Sequence, residues 1–111
     1  MATAPTPGEA CQPAKITFDL DAVGADGLTG PPNGQTVVDY EFCIPYADET
    51  LSEVMAIDPH VVCIHGPSGR IGCTDREYLC IGDTARPDFR RVLCRLSLLD
   101  YVNRIDQTFW E

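Results

Sequence analysis

The sequence predicts a single α+β domain, and three observations carry that reading. The chain has 111 residues, the size of one domain and too short for two. Stretches of period-two alternation, the mark of half-buried strands, are interleaved with a helix-opening capping box and a stretch of helical spacing. Apolar residues make up 44% of the chain and charged residues 23%, the proportions of a globular protein with one core.

Residues 1–14 are polar and Pro-rich and predict a disordered leader, which leaves 15–111 as the folded domain. Ile16-Thr17-Phe18-Asp19-Leu20 alternates apolar and polar and predicts a strand. Gly24 to Gly34 holds four glycines and two prolines and predicts a loop. Val37 to Ile44 alternates again, with Val38, Tyr40, Phe42 and Ile44 on one face and Asp39, Glu41 and Cys43 on the other; Pro45 ends it. Thr50-Leu51-Ser52-Glu53 has the form of a capping box, opening a helix through Ile57. Val61 to His65 and Tyr78 to Ile81 read as strands around a loop from Gly66 to Arg76. Thr84 or Asp88 caps a second helix that carries Phe89, Val92, Leu93, Leu96 and Leu99 at helical spacing. Tyr101 to Trp110 closes the chain as a strand.

After the first strand the order is β-α-β-β-α-β. That is the split βαβ pattern of ferredoxin-like folds, here with an extra N-terminal strand and two helices on one face of an antiparallel sheet. Such a fold hosts many functions and names none.

Seventeen acids against eight bases give a net charge of −9. That excludes sequence-independent nucleic-acid binding, which needs surplus Lys and Arg to displace counterions. The charge is uneven: residues 1–58 hold ten acids and one base (Lys15), whereas 59–111 hold seven of each. No stretch approaches the ~20 apolar residues of a membrane helix. The first ten residues lack the basic and apolar regions of a signal peptide. No cofactor motif is present, and the partner these features leave open is a protein.

Six cysteines are an even and unusually large number for this length. Alternation places Cys43, Cys63 and Cys80 on the sheet face away from the helices, where an inert core thiol would not sit. If 61–65 and 77–82 form a hairpin, Cys63 and Cys80 are cross-strand neighbours within reach of a disulfide. Cys43 would then pair with Cys73 in the hairpin loop, leaving Cys11 and Cys94 free or joined only adventitiously. Disulfides imply an oxidising, extracytoplasmic compartment. Two readings compete with disulfides: a soft metal site of Cys63, His65 and Cys80, although no Cys-x-x-Cys spacing supports it, and free thiols in a cytoplasmic protein.

The loop Gly66-Pro67-Ser68-Gly69-Arg70-Ile71 is the most unusual segment. Gly and Pro restrict its backbone, and it offers a lone Arg70. A pre-ordered loop with one Arg suits a protein contact, and in particular inhibition of a trypsin-like protease. Catalysis finds little footing: the serines lack a nucleophile motif, and Cys63 with His65 is the one thiol–imidazole pair that shares a strand face. Tyr40-Glu-Phe-Cys-Ile-Pro45, Gly69-Arg-Ile-Gly-Cys73, Leu79-Cys-Ile-Gly82 and Ile105 to Glu111 resemble a group of small uncharacterised proteins from cyanobacteria. The likeness spans most of 15–111 and implies a small stand-alone protein without assigning an activity. The expectation is therefore an exported, disulfide-stapled, non-catalytic binding module. A protease inhibitor acting through Arg70 is the first alternative, and a Cys/His metal binder the second.

Overall fold

The computed structural model describes residues 11–108. Alternation from Asp39 to Pro45 produces strand β3, preceded by a small hairpin of β1 (Leu28–Thr29) and β2 (Thr36–Val37). Helix α1 (Asp48–Ile57), strands β4 (Val62–His65) and β5 (Glu77–Asp83), helix α2 (Phe89–Ser97) and strand β6 (Asp106–Gln107) follow. The larger sheet has four strands in the order β4-β5-β3-β6, and every pairing is antiparallel. β3 and β5 pair along their whole length, from Asp39 opposite Asp83 to Pro45 opposite Glu77. β1 and β2 form a separate two-stranded sheet, so the stretch expected as pure loop, Gly24 to Gly34, contains the first strand of a small hairpin.

Directly opposite residues of an antiparallel pair share a face. Phe42 faces Cys80 and Ile44 faces Tyr78, so Tyr78 and Cys80 join Tyr40, Phe42 and Ile44 on the helix side. Cys63, opposite Cys80, lies there too. Alternation alone puts all three sheet cysteines on the open face; in the structure only Cys43 lies there. The run Tyr78-Leu-Cys-Ile81 is apolar at both parities, so its alternation carries no phase, and pairing with β3 decides it. The core joins this face to Val54 of α1, to Phe89, Val92, Leu93 and Leu96 of α2, and to Val102 and Ile105.

α2 has an i, i+3, i+4, i+7 apolar stripe in Phe89, Val92, Leu93 and Leu96, all buried. Asp88 stands at its N-cap, where its side chain makes no capping hydrogen bond. α1 starts at Asp48, two residues before the expected capping box. Thr50 lies inside it, with its hydroxyl donating to the Pro45 and Ala47 carbonyls at 2.6 and 2.9 Å. Asp48 and Glu49 in the first turn suit the positive end of the helix dipole.

The ends of the chain depart from expectation. The strand expected at 16–20 is a single parallel bridge between Ile16 and Ile105, after which Leu20–Ala22 turns helically. Asp19 causes the turn, its carboxylate accepting the Asp21 N–H at 2.9 Å. Residues 11–14, expected within a disordered leader, are ordered: Cys11 is bonded to Cys94 and the Gln12 N–H donates to Ser97 Oγ at 3.0 Å. The rest of that leader, residues 1–10, lies outside the described residues. Of the closing strand expected at 101–110, Asp106–Gln107 is regular; residues 109–110 lie outside the described residues.

Candidate functional site

Three disulfides are present, and no described cysteine is free. Cys63–Cys80 staples β4 to β5, with Cα atoms 4.0 Å apart. Cys43–Cys73 ties the loop after β4 to β3, with Cα atoms 5.5 Å apart. These are the two pairs named from the strand pattern. Cys11 and Cys94, expected to be free or joined only adventitiously, form the third bond; α2 brings Cys94 under the start of the chain, a contact that no local pattern announces.

The loop 66–73 folds back over the open face of the sheet. Its turn is closed by the Gly72 and Cys73 N–H groups, which both donate to the Ser68 carbonyl at 3.1 and 2.7 Å. Gly69 adopts a φ of +65°, and a Cβ there would stand 2.8 Å from Leu79 Cδ1 and 3.1 Å from Glu41 Oε1. Only glycine combines that backbone with that closeness. Both backbone groups of Ile71 are held: its N–H donates to Glu41 Oε1 at 2.7 Å and its carbonyl accepts from Arg104 Nη2 at 2.8 Å. Arg104 Nε in turn donates to Asp106 Oδ2 at 3.0 Å.

Glu41 is the anchor. It is 2% exposed, and its second oxygen accepts the Thr108 hydroxyl at 2.9 Å. A buried carboxylate with both oxygens bonded organises the donors around it. Sequence reasoning assigned Glu41 to the solvent face of β3 and missed this role, because alternation cannot tell an open face from one roofed by a distant loop. Arg104 and Thr108 were missed for the same reason. Between the loop and the segment before β6 lies a cleft of about 140 Å³ lined by Cys43, Ile71, Gly72, Glu77, Asn103 and Arg104. Residues 66–70 stay exposed and Ile71 is half-buried.

At the end of β4, the His65 ring stacks on Tyr46 at 3.9 Å between centroids, and Tyr78 meets Tyr46 edge-on at 4.9 Å. His65 Nε2 lies 2.6 Å from the Asp75 carbonyl, which only accepts, so that nitrogen carries the proton. The three expected metal ligands do not assemble. The Cys63 and Cys80 sulfurs are joined to each other, and a disulfide offers no thiolate. Among the described residues no group of three or more His, Cys, Asp or Glu side chains is placed to hold a metal ion. The same bond removes the Cys63 thiol from its pairing with His65. No described helix is long and apolar enough to cross a membrane.

Searches against protein-family models, curated proteins and solved structures find no match for this chain.

Proposed function

We propose that the chain is a non-catalytic binding module of ferredoxin-like topology, exported to an oxidising compartment, which contacts a protein partner through the loop 66–73. The observation that carries this reading is the immobilisation of an irregular loop. Cys73 is bonded to Cys43, Ile71 is held at both backbone groups, and Gly69 is seated on Leu79, while Pro67, Ser68 and Arg70 stay exposed. A loop ordered before binding loses little entropy on binding. Three disulfides fit an oxidising environment. The strand order, with α1 between β3 and β4 and α2 between β5 and β6, supports the ferredoxin-like reading.

The test is affinity capture from an extracytoplasmic extract, comparing wild type with a Ser68→Ala/Arg70→Ala variant of unchanged circular dichroism. A protein retained by the wild type and lost from the variant is expected. Equal capture by both moves the contact elsewhere, and capture of nothing removes the reading.

The exposure of Arg70 favours protease inhibition as the second reading. Against it stands the tight turn from Ser68 to Cys73, since a protease binds an inhibitory loop as an extended strand. Inhibition of trypsin that Arg70→Ala abolishes would establish it; absence of inhibition at micromolar protein would end it.

A further inference from the structure

We infer that the outer edge of β4 is a self-association surface, where it pairs antiparallel with β4 of a second copy of this chain. The hydrogen-bond phase of the sheet is the first observation. Thr84 N–H donates to the Val38 carbonyl at 3.0 Å and Tyr46 N–H to the Arg76 carbonyl at 2.8 Å. The even-numbered residues of β5 therefore direct their backbone groups at β3, and alternation turns Glu77, Leu79 and Ile81 towards β4. Val62 opposite Ile81 and Ile64 opposite Leu79 are then the hydrogen-bonded pairs of that ladder. Cys63 opposite Cys80 is a non-hydrogen-bonded pair, in keeping with its short Cα separation of 4.0 Å. The N–H and C=O groups of Cys63 and His65 consequently point outward, along an edge that pairs with no other described strand.

The side chains reinforce this. Val62 is 59% and Ile64 40% exposed, both β-branched and both on the open face. β4 carries none of the usual edge protection: no Lys, no Pro and no inward-pointing acid. The opposite edge, β6, is two residues long and carries Asp106. The Cys63–Cys80 bond fixes β4 to β5, so the edge is a pre-ordered template.

Charge and register select a second copy as the occupant. Residues 59–74 are the longest stretch of the chain without an acid. Two chains of net charge −9 repel least where they meet along it, while a cationic strand would be drawn to the acidic residues 1–58 instead. With Cys63 of one copy opposite His65 of the other, every outward N–H and C=O of those residues finds a partner. Ile64 then faces Ile64 across the two-fold axis. Val62 lies opposite Gly66, where an added Cβ would meet nothing within 4 Å. The interface is isologous and closes on itself.

Sedimentation equilibrium of the wild type from about 1 µM to about 1 mM tests this. A monomer–dimer equilibrium that tightens with added salt is expected, because screening weakens the repulsion. Exchange of the Cys63 and His65 amides should slow as protein concentration rises. Ile64→Lys places two cations in one close pair and should give a monomer, while Val37→Lys, exposed on the separate hairpin, should leave the dimer intact. Ile64→Cys should cross-link two copies where Val62→Cys does not. A wild type that stays monomeric across the range overturns the inference, even if that edge accepts a foreign strand; so does a dimer that survives Ile64→Lys.

Discussion

Thr84 shows how much of this fold rests on single side chains. Fully buried, its hydroxyl donates to the Gly27 carbonyl at 2.6 Å and accepts the Val38 N–H at 2.9 Å, pinning the β1–β2 hairpin to the sheet. Gly27 has φ +81°, and a Cβ there would stand 1.9 Å from the Thr84 carbonyl oxygen, so no other residue fits. Tyr40 is the opposite case. It is fully buried, its ring lies 2.8 Å from where a Gly82 Cβ would be, and its hydroxyl has no hydrogen-bond partner among the described residues. Burial raises its pKa well above the ordinary tyrosine value, and the charges of Asp58, Asp83 and Asp88 raise it further against an opposing Arg86. The folded chain therefore keeps the phenol proton where an unfolded one releases it. That contribution is fully present below about pH 10 and is lost as pH rises from there toward the folded value. Tyr40→Phe removes an unsatisfied hydroxyl, so at neutral pH it should be within about 1 kcal/mol of wild type or more stable. It should also flatten the alkaline loss of stability. Urea melts across the alkaline range decide the matter: an unchanged slope would mean that Tyr40 does not cause it.

Among the elements, the two helices are unequally held. α1 buries Val54 alone, whereas α2 buries six residues and is tied to the chain start through Cys94 and Ser97. Native-state amide exchange should accordingly be faster in α1 than in α2. The loop 66–73 belongs with the rigid parts despite its lack of regular structure, because Glu41 satisfies the Ile71 N–H and the Thr108 hydroxyl inside a buried site. Glu41→Ala leaves both donors unpaired and should cost about 2–6 kcal/mol in urea unfolding, from roughly 1–3 kcal/mol for each of the two unsatisfied groups. The Ile71 amide should then exchange much faster with all three disulfides intact. Wild-type stability together with a slow Ile71 amide would show that the disulfide alone fixes the loop.

For the molecule as a whole, cross-links of very different span share the work. Cys11–Cys94 encloses 83 residues of separation and Cys63–Cys80 encloses 17. On the chain-entropy account, removing the long link costs about 1.4 kcal/mol more than removing the short one, before repacking of the buried Cys80 site is counted. Alkylation followed by intact mass should show six thiols only after reduction, and urea melts of Cys11→Ala/Cys94→Ala and Cys63→Ala/Cys80→Ala should rank in that order. Two thiols reacting before reduction would return Cys11 and Cys94 to the free state. Uneven charge acts at this scale too: ten acids and one base in residues 1–58 keep copies apart except along an acid-free edge, so ionic strength tunes association without altering the fold.

Local pattern was enough to read β3, α2 and the hairpin of β4 and β5. Periods of two and 3.6 residues reflect which side chains a backbone turns to one side, and that is set by near neighbours. The Cys63–Cys80 pair was legible for the same reason, since a hairpin brings opposite residues together wherever it folds. Other features depended on contacts far apart in the chain. Ile16 to Leu20 alternates as a strand would but meets Ile105 at one bridge, because Asp19 offers the backbone a turn instead. Tyr78 to Ile81 is apolar on both sides, so pairing with β3 chose which side met the helices. Cys94 found Cys11, and Glu41 became an anchor rather than a solvated acid, only once α2 and the loop 66–73 had packed. Which element forms is a matter of local conformational preference and spacing. Which face is covered, and by what, is settled by register and burial acting together over the folded chain.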